Sequence, residues 1–302
     1  MTVEASEALT LPDKPSWLEA RRQGLGSSDA PAILAVSPWK SPLGVYAEKL
    51  QIVEASIEET EAMSWGNLLE PVVATRYIEV TGRELRDPGR FTIRRNLARP
   101  FLLATLDREI VGDERGPGLL EIKTTGYFDK EEWEEGPPLL FNVQVQHQLA
   151  VTGYPWASLV VLVAGQHLKW VDVERNDRFI AILIEREEEF WDRLIRHDPP
   201  SPDASEATKE ILAKLYPAQV PETIVPLSGE FFHWDQQRAQ GKADEKAAKG
   251  RITEAENMLK AAIGEAEAGM LPDGTLITWK LVKKSGYEVK PTQYRELRRK
   301  EK

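Results

Sequence analysis

The chain has 302 residues, 41% of them hydrophobic and 29% charged, a composition of folded globular protein with length for one sizeable core and an appendage. It contains no cysteine, which excludes disulfides, zinc ribbons and iron–sulfur clusters and leaves any metal to oxygen ligands or a few His, favouring a hard ion such as magnesium. The net charge of −10 argues against a phosphate-rich partner only on average, because such binding depends on local charge.

Residues 1–15 are polar and acidic, with no basic or apolar stretch. They predict a flexible terminus and not a signal peptide. From Trp17 the pattern predicts a short extended entry, a Gly-Ser turn at 24–28 and a helix from Asp29. Ser28 or Asp29 would cap that helix, with Pro31 in its first turn. A second helix is expected over 42–50. A longer one is expected over 64–80, capped by Ser64, with Pro71 early and Gly82 as its stop. Leu68, Val72, Thr75, Ile78 and Glu79 mark its faces, the apolar ones three or four apart. Trp17 and Trp65 are expected in the core.

From Arg90 the texture changes to short apolar segments between Pro, Gly and charged turns. Residues 91–93, 102–106, 108–111 and 118–123 read as strands. Residues 142–152 return to helix and end at Gly153. The near-continuous apolar run 157–164 suits a strand buried on both faces, with 168–173 as its hairpin partner. An amphipathic helix over 177–196 stops at Asp198-Pro199-Pro200. This order of helices and strands predicts a mixed α/β core spanning 16–198. A proline-rich linker is expected over 199–234. Residues 235–302 should hold a long helix to about Ala268, weakened by Gly241, Gly250 and Gly264. A short hairpin around Asp273-Gly274 and a basic tail would follow. The strongest apolar run, 159–164, falls far short of the roughly 20 residues that span a bilayer, so no membrane partner and a cytoplasmic location are expected.

Arg83, Arg86, Arg90, Arg94, Arg95 and Arg99 lie close together, while acidic residues crowd 54–61, 131–135 and 185–189. A basic channel on an acidic body and a set of solvated strand arginines are both consistent with this. The run 131–135 reads as a solvated loop, and His147 as a partly buried helix residue.

The segment that could carry chemistry is Leu102-Leu-Ala-Thr-Leu-Asp107 followed by Gly118-Leu-Leu-Glu121-Ile-Lys123. Glu121 and Lys123 are two apart on a predicted strand and so share a face. Asp107 ends the strand a hairpin's length upstream. Magnesium wants about six oxygens and keeps several waters. Asp107, Glu121 and the carbonyl of Ile122 would suffice as the protein's share, with Lys123 aimed at an attacking water or a developing charge. The spacing alone is better described by an ordinary surface hairpin.

Four segments in order resemble one family. Trp17-Leu-Glu-Ala-Arg21-Arg-Gln-Gly-Leu-Gly-Ser27-Ser28-Asp29 is similar to its opening motif, and Trp65-Gly66-Asn-Leu-Leu-Glu70-Pro71 to its second. Asp107 with Glu121-Ile-Lys123 resembles the third, and Gln144-Val-Gln146-His-Gln148-Leu-Ala-Val-Thr-Gly153 the helix that follows. The family is that of YqaJ-like viral recombinases, which includes the phage lambda exonuclease and belongs to the PD-(D/E)xK nucleases. The resemblance covers about residues 16–195. Where the family commonly has Pro-Asp-Gly, this chain has Leu106-Asp107-Arg108, which sets a bulky cation beside the site.

The resemblance implies a restriction-endonuclease-like fold: a central mixed sheet flanked by helices, here with a C-terminal helical extension. It implies Asp107 and Glu121 as metal ligands, Glu70 as a further acidic metal-site residue, Lys123 as the catalytic lysine and Gln146 as the residue orienting water or lysine. Arg21 and Ser28 would hold the 5′-phosphate of a DNA end, a role that guanidinium, hydroxyl and helix N-terminus also suit physically. The implied activity is magnesium-dependent, with manganese able to substitute. It is 5′→3′ exonuclease action on linear double-stranded DNA ends, leaving 3′ strands for an annealing or recombinase protein, and a ring-shaped homo-oligomer is implied. One ion or two is left open. An endonuclease or RecB-type module of the same superfamily, and a non-catalytic DNA-end scaffold, are the alternatives.

Overall fold

The computed structural model describes residues 5–53, 60–126, 133–134, 136–283, 286 and 294–299. Two compact units divide the chain at Pro217/Ala218. In the first, β1 (Ser6–Thr10), α1 (Lys14–Arg22), α2 (Ala30–Ile33), α3 (Pro42–Lys49) and α4 (Glu61–Thr81) precede β2 (Glu84–Arg86), β3 (Thr92–Asn96), β4 (Leu103–Ala104), β5 (Arg108–Val111) and β6 (Gly118–Thr125). Then come α5 (Leu139–Thr152), β7 (Trp156–Val163), β8 (His167–Glu174), α6 (Asp177–Arg196) and α7 (Glu206–Leu215). The second unit holds α8 (Phe231–Ile263), β9 (Ala268–Met270) and β10 (Leu276–Thr278).

The main sheet has the order β2-β5-β6-β7-β8. Only β6 and β7 run parallel; α5 joins them, because parallel neighbours need a crossover. Alternation along β6 sends Leu120 and Ile122 into a cluster with Val73, Ala74 and Tyr77 of α4. Leu119 goes to the opposite face, packed with Val145 and Leu149 of α5. The sheet is therefore covered on both sides, and β7 is buried almost throughout. A small antiparallel sheet, β1-β3-β4, stands beside it.

Several expectations are corrected. Residues 6–10 are a strand and not a flexible end: the stretch has no clear apolar alternation, but it pairs in full register with β3. The extended entry is helix α1, whose Asp13 side chain accepts from the Ser16 amide at 2.9 Å, with Pro15 in the first turn. The expected linker contains α7, capped by Ser205; Ile211 packs on Leu43 and Ala47 of α3. Helix α4 begins at a Thr60 cap, so Pro71 lies in its interior. Its buried face is Val73, Ala74 and Tyr77, leaving Trp65, Leu68, Val72 and Ile78 exposed. Trp65 is thus no core residue, and Trp17 is half-buried against Phe91.

The arginine stripe is engaged in ion pairs: Arg83 with Asp172, Arg86 and Arg94 with Glu109, Arg95 with Glu7 and Arg99 with Glu188. Arg90 lies over the Phe91 ring. Arg86 and Arg94 thereby tie β2 and β3 to β5, and Arg95 ties β3 to β1. Of the acidic run 131–135, only Trp133 and Glu134 fall within the described residues. No helix among them is long and apolar enough to cross a membrane. In the second unit, α8 buries none of its residues, and β9 and β10 pair around Gly274, whose positive φ of 88° suits the turn.

Candidate active site

β5 and β6 pair antiparallel with Arg108 opposite Leu120, so the next residue back, Asp107, meets the neighbourhood of Glu121. The Asp107 carboxylate closes that contact, accepting from the Ile122 amide at 2.7 Å. Glu121 points to the α5 face and is only 3% exposed. Three donors surround it. Lys123 Nζ and Gln144 Nε2 each lie 2.5 Å from Oε1, and Gln148 Nε2 lies 2.7 Å from Oε2. The ammonium of Lys123 also lies 5.0 Å from the Phe141 ring.

The electrostatics follow from crowding. The protein packed around Asp107, together with the charges of Glu121 and Glu70, pushes its carboxyl well above the usual carboxylate range. Lys123 and the Ile122 amide oppose this without cancelling it. Burial disfavours the Lys123 ammonium, but Glu121 and Asp107 outweigh that and raise its pKa, so it stays charged. Glu70 stands on α4 beside this centre and is held by Arg108 Nη1 at 2.6 Å; the same nitrogen donates to the Asp107 carbonyl.

Gln146 is not among the residues that meet here. Its side chain turns to the β8–α6 junction, where Nε2 donates to the Glu174 carbonyl at 2.8 Å and Oε1 accepts from the Asn176 amide at 2.9 Å. On a helix turning about 100° per residue, a neighbour two positions away faces the other side. Gln144 and Gln148, four apart, share the face that meets Glu121. Helical periodicity was the signal that could have found them.

His147 is fully buried and not partly so. Its Nδ1 lies 2.6 Å from Glu187 on α6 and its Nε2 lies 2.8 Å from the Leu103 carbonyl. Both ring nitrogens face oxygen atoms, an arrangement that suits the imidazolium form, in which both donate. Burial opposes that charge, but Glu187 and the Leu103 carbonyl raise its pKa. His147 thereby locks α5, and with it Gln144 and Gln148, onto β4 and α6.

The 24–28 turn is pinned to the same framework. Leu25 bridges Leu102, with its amide 2.6 Å from the Phe101 carbonyl. A Cβ on Gly24 would lie 2.4 Å from that carbonyl, so only glycine fits. Arg21 Nη2 donates to Ser28 Oγ at 3.2 Å and its guanidinium lies over Trp17 at 4.6 Å. Glu19 pairs with Arg22 and leaves Arg21 out of it. Asp29 is buried against Lys49 at 2.7 Å. Burial works against its ionisation, but Lys49 and Lys40 win and hold it well below the usual range. Helix α2 has only four residues, too short for a substantial end charge. An anion here would rest on Arg21 and Ser28 alone.

The donors suit a hard divalent ion. Asp107, Glu121 and the Ile122 carbonyl offer oxygen only. Gln148 Oε1 is buried and, among the described residues, has no hydrogen-bond partner; its Nε2 is assigned by facing Glu121 and the Thr105 carbonyl. Among the described residues, no three carboxylate or imidazole side chains converge closely enough to hold one ion.

A family model, the YqaJ-like viral recombinase domain, matches residues 16–155. The uncharacterised protein YqaJ of Bacillus subtilis (strain 168) is 34% identical over 278 residues, covering 90% of this chain and 86% of its own. An alkaline exonuclease, LHK-Exo from Laribacter hongkongensis, is similar in structure with a TM-score of 0.50 at 22% identity, covering 67% of this chain and 100% of that one. Its complex with dAMP gives 0.51 at 24% identity with the same coverage. The fold is thus the α/β architecture of those exonucleases, a mixed central sheet flanked by helices.

Proposed function

The chain belongs to the YqaJ-like viral recombinase family, and from that premise and the site's geometry we propose a divalent-metal-dependent deoxyribonuclease acting on the ends of linear double-stranded DNA. The observation that carries this is Glu121, buried where Lys123, Gln144 and Gln148 converge and beside Asp107. A surface hairpin would have no reason to bury an acid among three donors.

Asp107, Glu121 and the Ile122 carbonyl would hold magnesium, with manganese able to substitute. The ion supplies a Lewis acid and a water acidic enough to attack near neutral pH. Gln148 Oε1 would accept a hydrogen bond from the attacking water and fix its orientation. Lys123, kept charged by its neighbours, stabilises the negative charge that builds on phosphorus. The water oxygen would bond to phosphorus as the bond to the 3′-oxygen breaks; the proton the water gives up to solvent is balanced by the one the 3′-oxygen takes from solvent to leave as a hydroxyl. The product keeps the 5′-phosphate.

Arg21 and Ser28 hold the 5′-phosphate of the strand being shortened, which sets a 5′→3′ direction and leaves a 3′ strand for an annealing or strand-exchange protein. The exposed Trp65, Leu68 and Val72 on α4 offer an apolar face to a second copy, in keeping with a homo-oligomer that surrounds DNA.

The pocket is tested on duplexes bearing 5′-phosphate or 5′-hydroxyl ends. Wild-type protein should degrade the phosphorylated end at least about tenfold faster, and Arg21→Ala should lose most of that preference, since a charge-assisted bond contributes roughly 1.5–3 kcal/mol. Equal rates on both ends in the wild type would remove the assigned direction.

A further inference from the structure

This inference rests on the nuclease reading and concerns the cation beside the candidate metal ligand Asp107. The residue after that aspartate is Arg108. Its side chain is not thrown outward. It is 14% exposed, lies 2.6 Å from Glu70 Oε1, and donates from the same nitrogen to the Asp107 carbonyl.

The charges then sort into two pairs and a remainder. Glu121 has Lys123 at 2.5 Å and Glu70 has Arg108. Asp107 has the Ile122 amide and, among the described residues, no ion pair. With all three carboxylates ionised, as metal binding would require of Asp107, three negative charges against two fixed cations leave one net negative charge. One divalent ion turns that to a single positive charge, matched to one phosphodiester. A second ion would have to approach Glu70 past a guanidinium already bound to it, against repulsion at short range in a poorly solvated site. The described side chains offer no group of three carboxylates or imidazoles that could hold an ion, as expected when Glu70 is turned to Arg108.

We propose that Arg108 takes the place of a second metal ion: its guanidinium holds Glu70 out of the coordination sphere, and the centre takes one divalent ion on Asp107 and Glu121. Arg108 is then a positioning residue, and Glu70 its anchor.

The experiment titrates Mn2+ alone into the full chain and counts bound ions by electron paramagnetic resonance and calorimetry, in the absence of DNA. Wild-type protein should bind one ion per chain, and Arg108→Gly two, the second weaker. Arg108→Gly combined with Glu70→Gln should return to one. Glu70→Gln alone should keep the single ion with affinity within about twofold, because Glu70 is not its ligand. This arm and the wild-type count decide the matter even if Arg108→Gly fails to fold. Two ions in the wild type, or a loss of more than about tenfold in affinity in Glu70→Gln, would overturn the proposal and leave the nuclease reading standing. No bound ion in the wild type would overturn both.

Discussion

Glu121→Gln should lower single-turnover cleavage by about 10²–10³-fold, the scale of losing one fixed electrostatic element of a reaction centre. Lys123→Ala should lose a similar amount. The two losses are not expected to add, because Lys123 and Glu121 hold each other at 2.5 Å and act as a unit. Glutamine keeps the shape and the contact with Gln148, so folding should survive. What goes is the negative charge that would bind the ion and that keeps the buried Lys123 charged. The check is release of nucleotides from an end-labelled duplex under excess enzyme, with thermal unfolding run alongside. A Glu121→Gln protein that keeps its fold and more than a tenth of wild-type activity would remove Glu121 from the centre.

Glu187→Gln should cost about 3–5 kcal/mol of stability, the usual cost of breaking a buried ion pair, and the cost should depend on pH. The His147–Glu187 pair is fully buried. Asp29 adds to the charges that favour the imidazolium, after Glu187 and the Leu103 carbonyl. The folded-state pKa of His147 is raised, so the pair's contribution is complete below the unfolded value of about 6.5. It fades as pH rises through the folded value. Denaturant unfolding at about pH 6 should therefore show the full penalty, and at markedly higher pH a smaller one. An equal penalty at both would mean that His147 is neutral in the folded protein. Cleavage in Glu187→Gln should also fall, since α5 carries Gln144 and Gln148.

Much of this was legible in the residues because the local signals agreed with the tertiary ones. The helix over Asp177–Arg196 was readable from its amphipathic period and its proline stop. The strands around Asp107 and Glu121 were readable from short apolar runs between turns. Failures came where one signal overrode another. Strand β1, Ser-Glu-Ala-Leu-Thr, has no clear apolar alternation and is held by the ladder of hydrogen bonds that β3 offers it, which no local pattern announces. Asp13 and Pro15 did announce α1, and Ser205 announced α7, but surrounding loop-like residues masked both. The buried face of α4 is narrow, and its wider apolar stripe faces away from the core, so period alone pointed to the wrong side.

For the site, Glu121 and Lys123 followed from strand alternation, and the Asp107 contact followed from the hairpin. Three glutamines at alternate positions on α5 looked alike by composition. Only the helical turn separates Gln144 and Gln148, on the Glu121 side, from Gln146. That Arg108 folds inward onto Glu70 depends on side-chain packing between β5 and α4, which lie far apart in the chain.

The central claim is that this chain hydrolyses DNA from its ends with a divalent ion. It is tested most directly by incubating the protein with 5′-phosphorylated linear duplex and with covalently closed circular duplex, each in magnesium and in EDTA. The account predicts loss of the linear DNA in magnesium only, with the closed circle intact throughout. Cleavage of the circle would make the chain an endonuclease, and degradation of neither substrate, in magnesium or manganese, would contradict the account altogether.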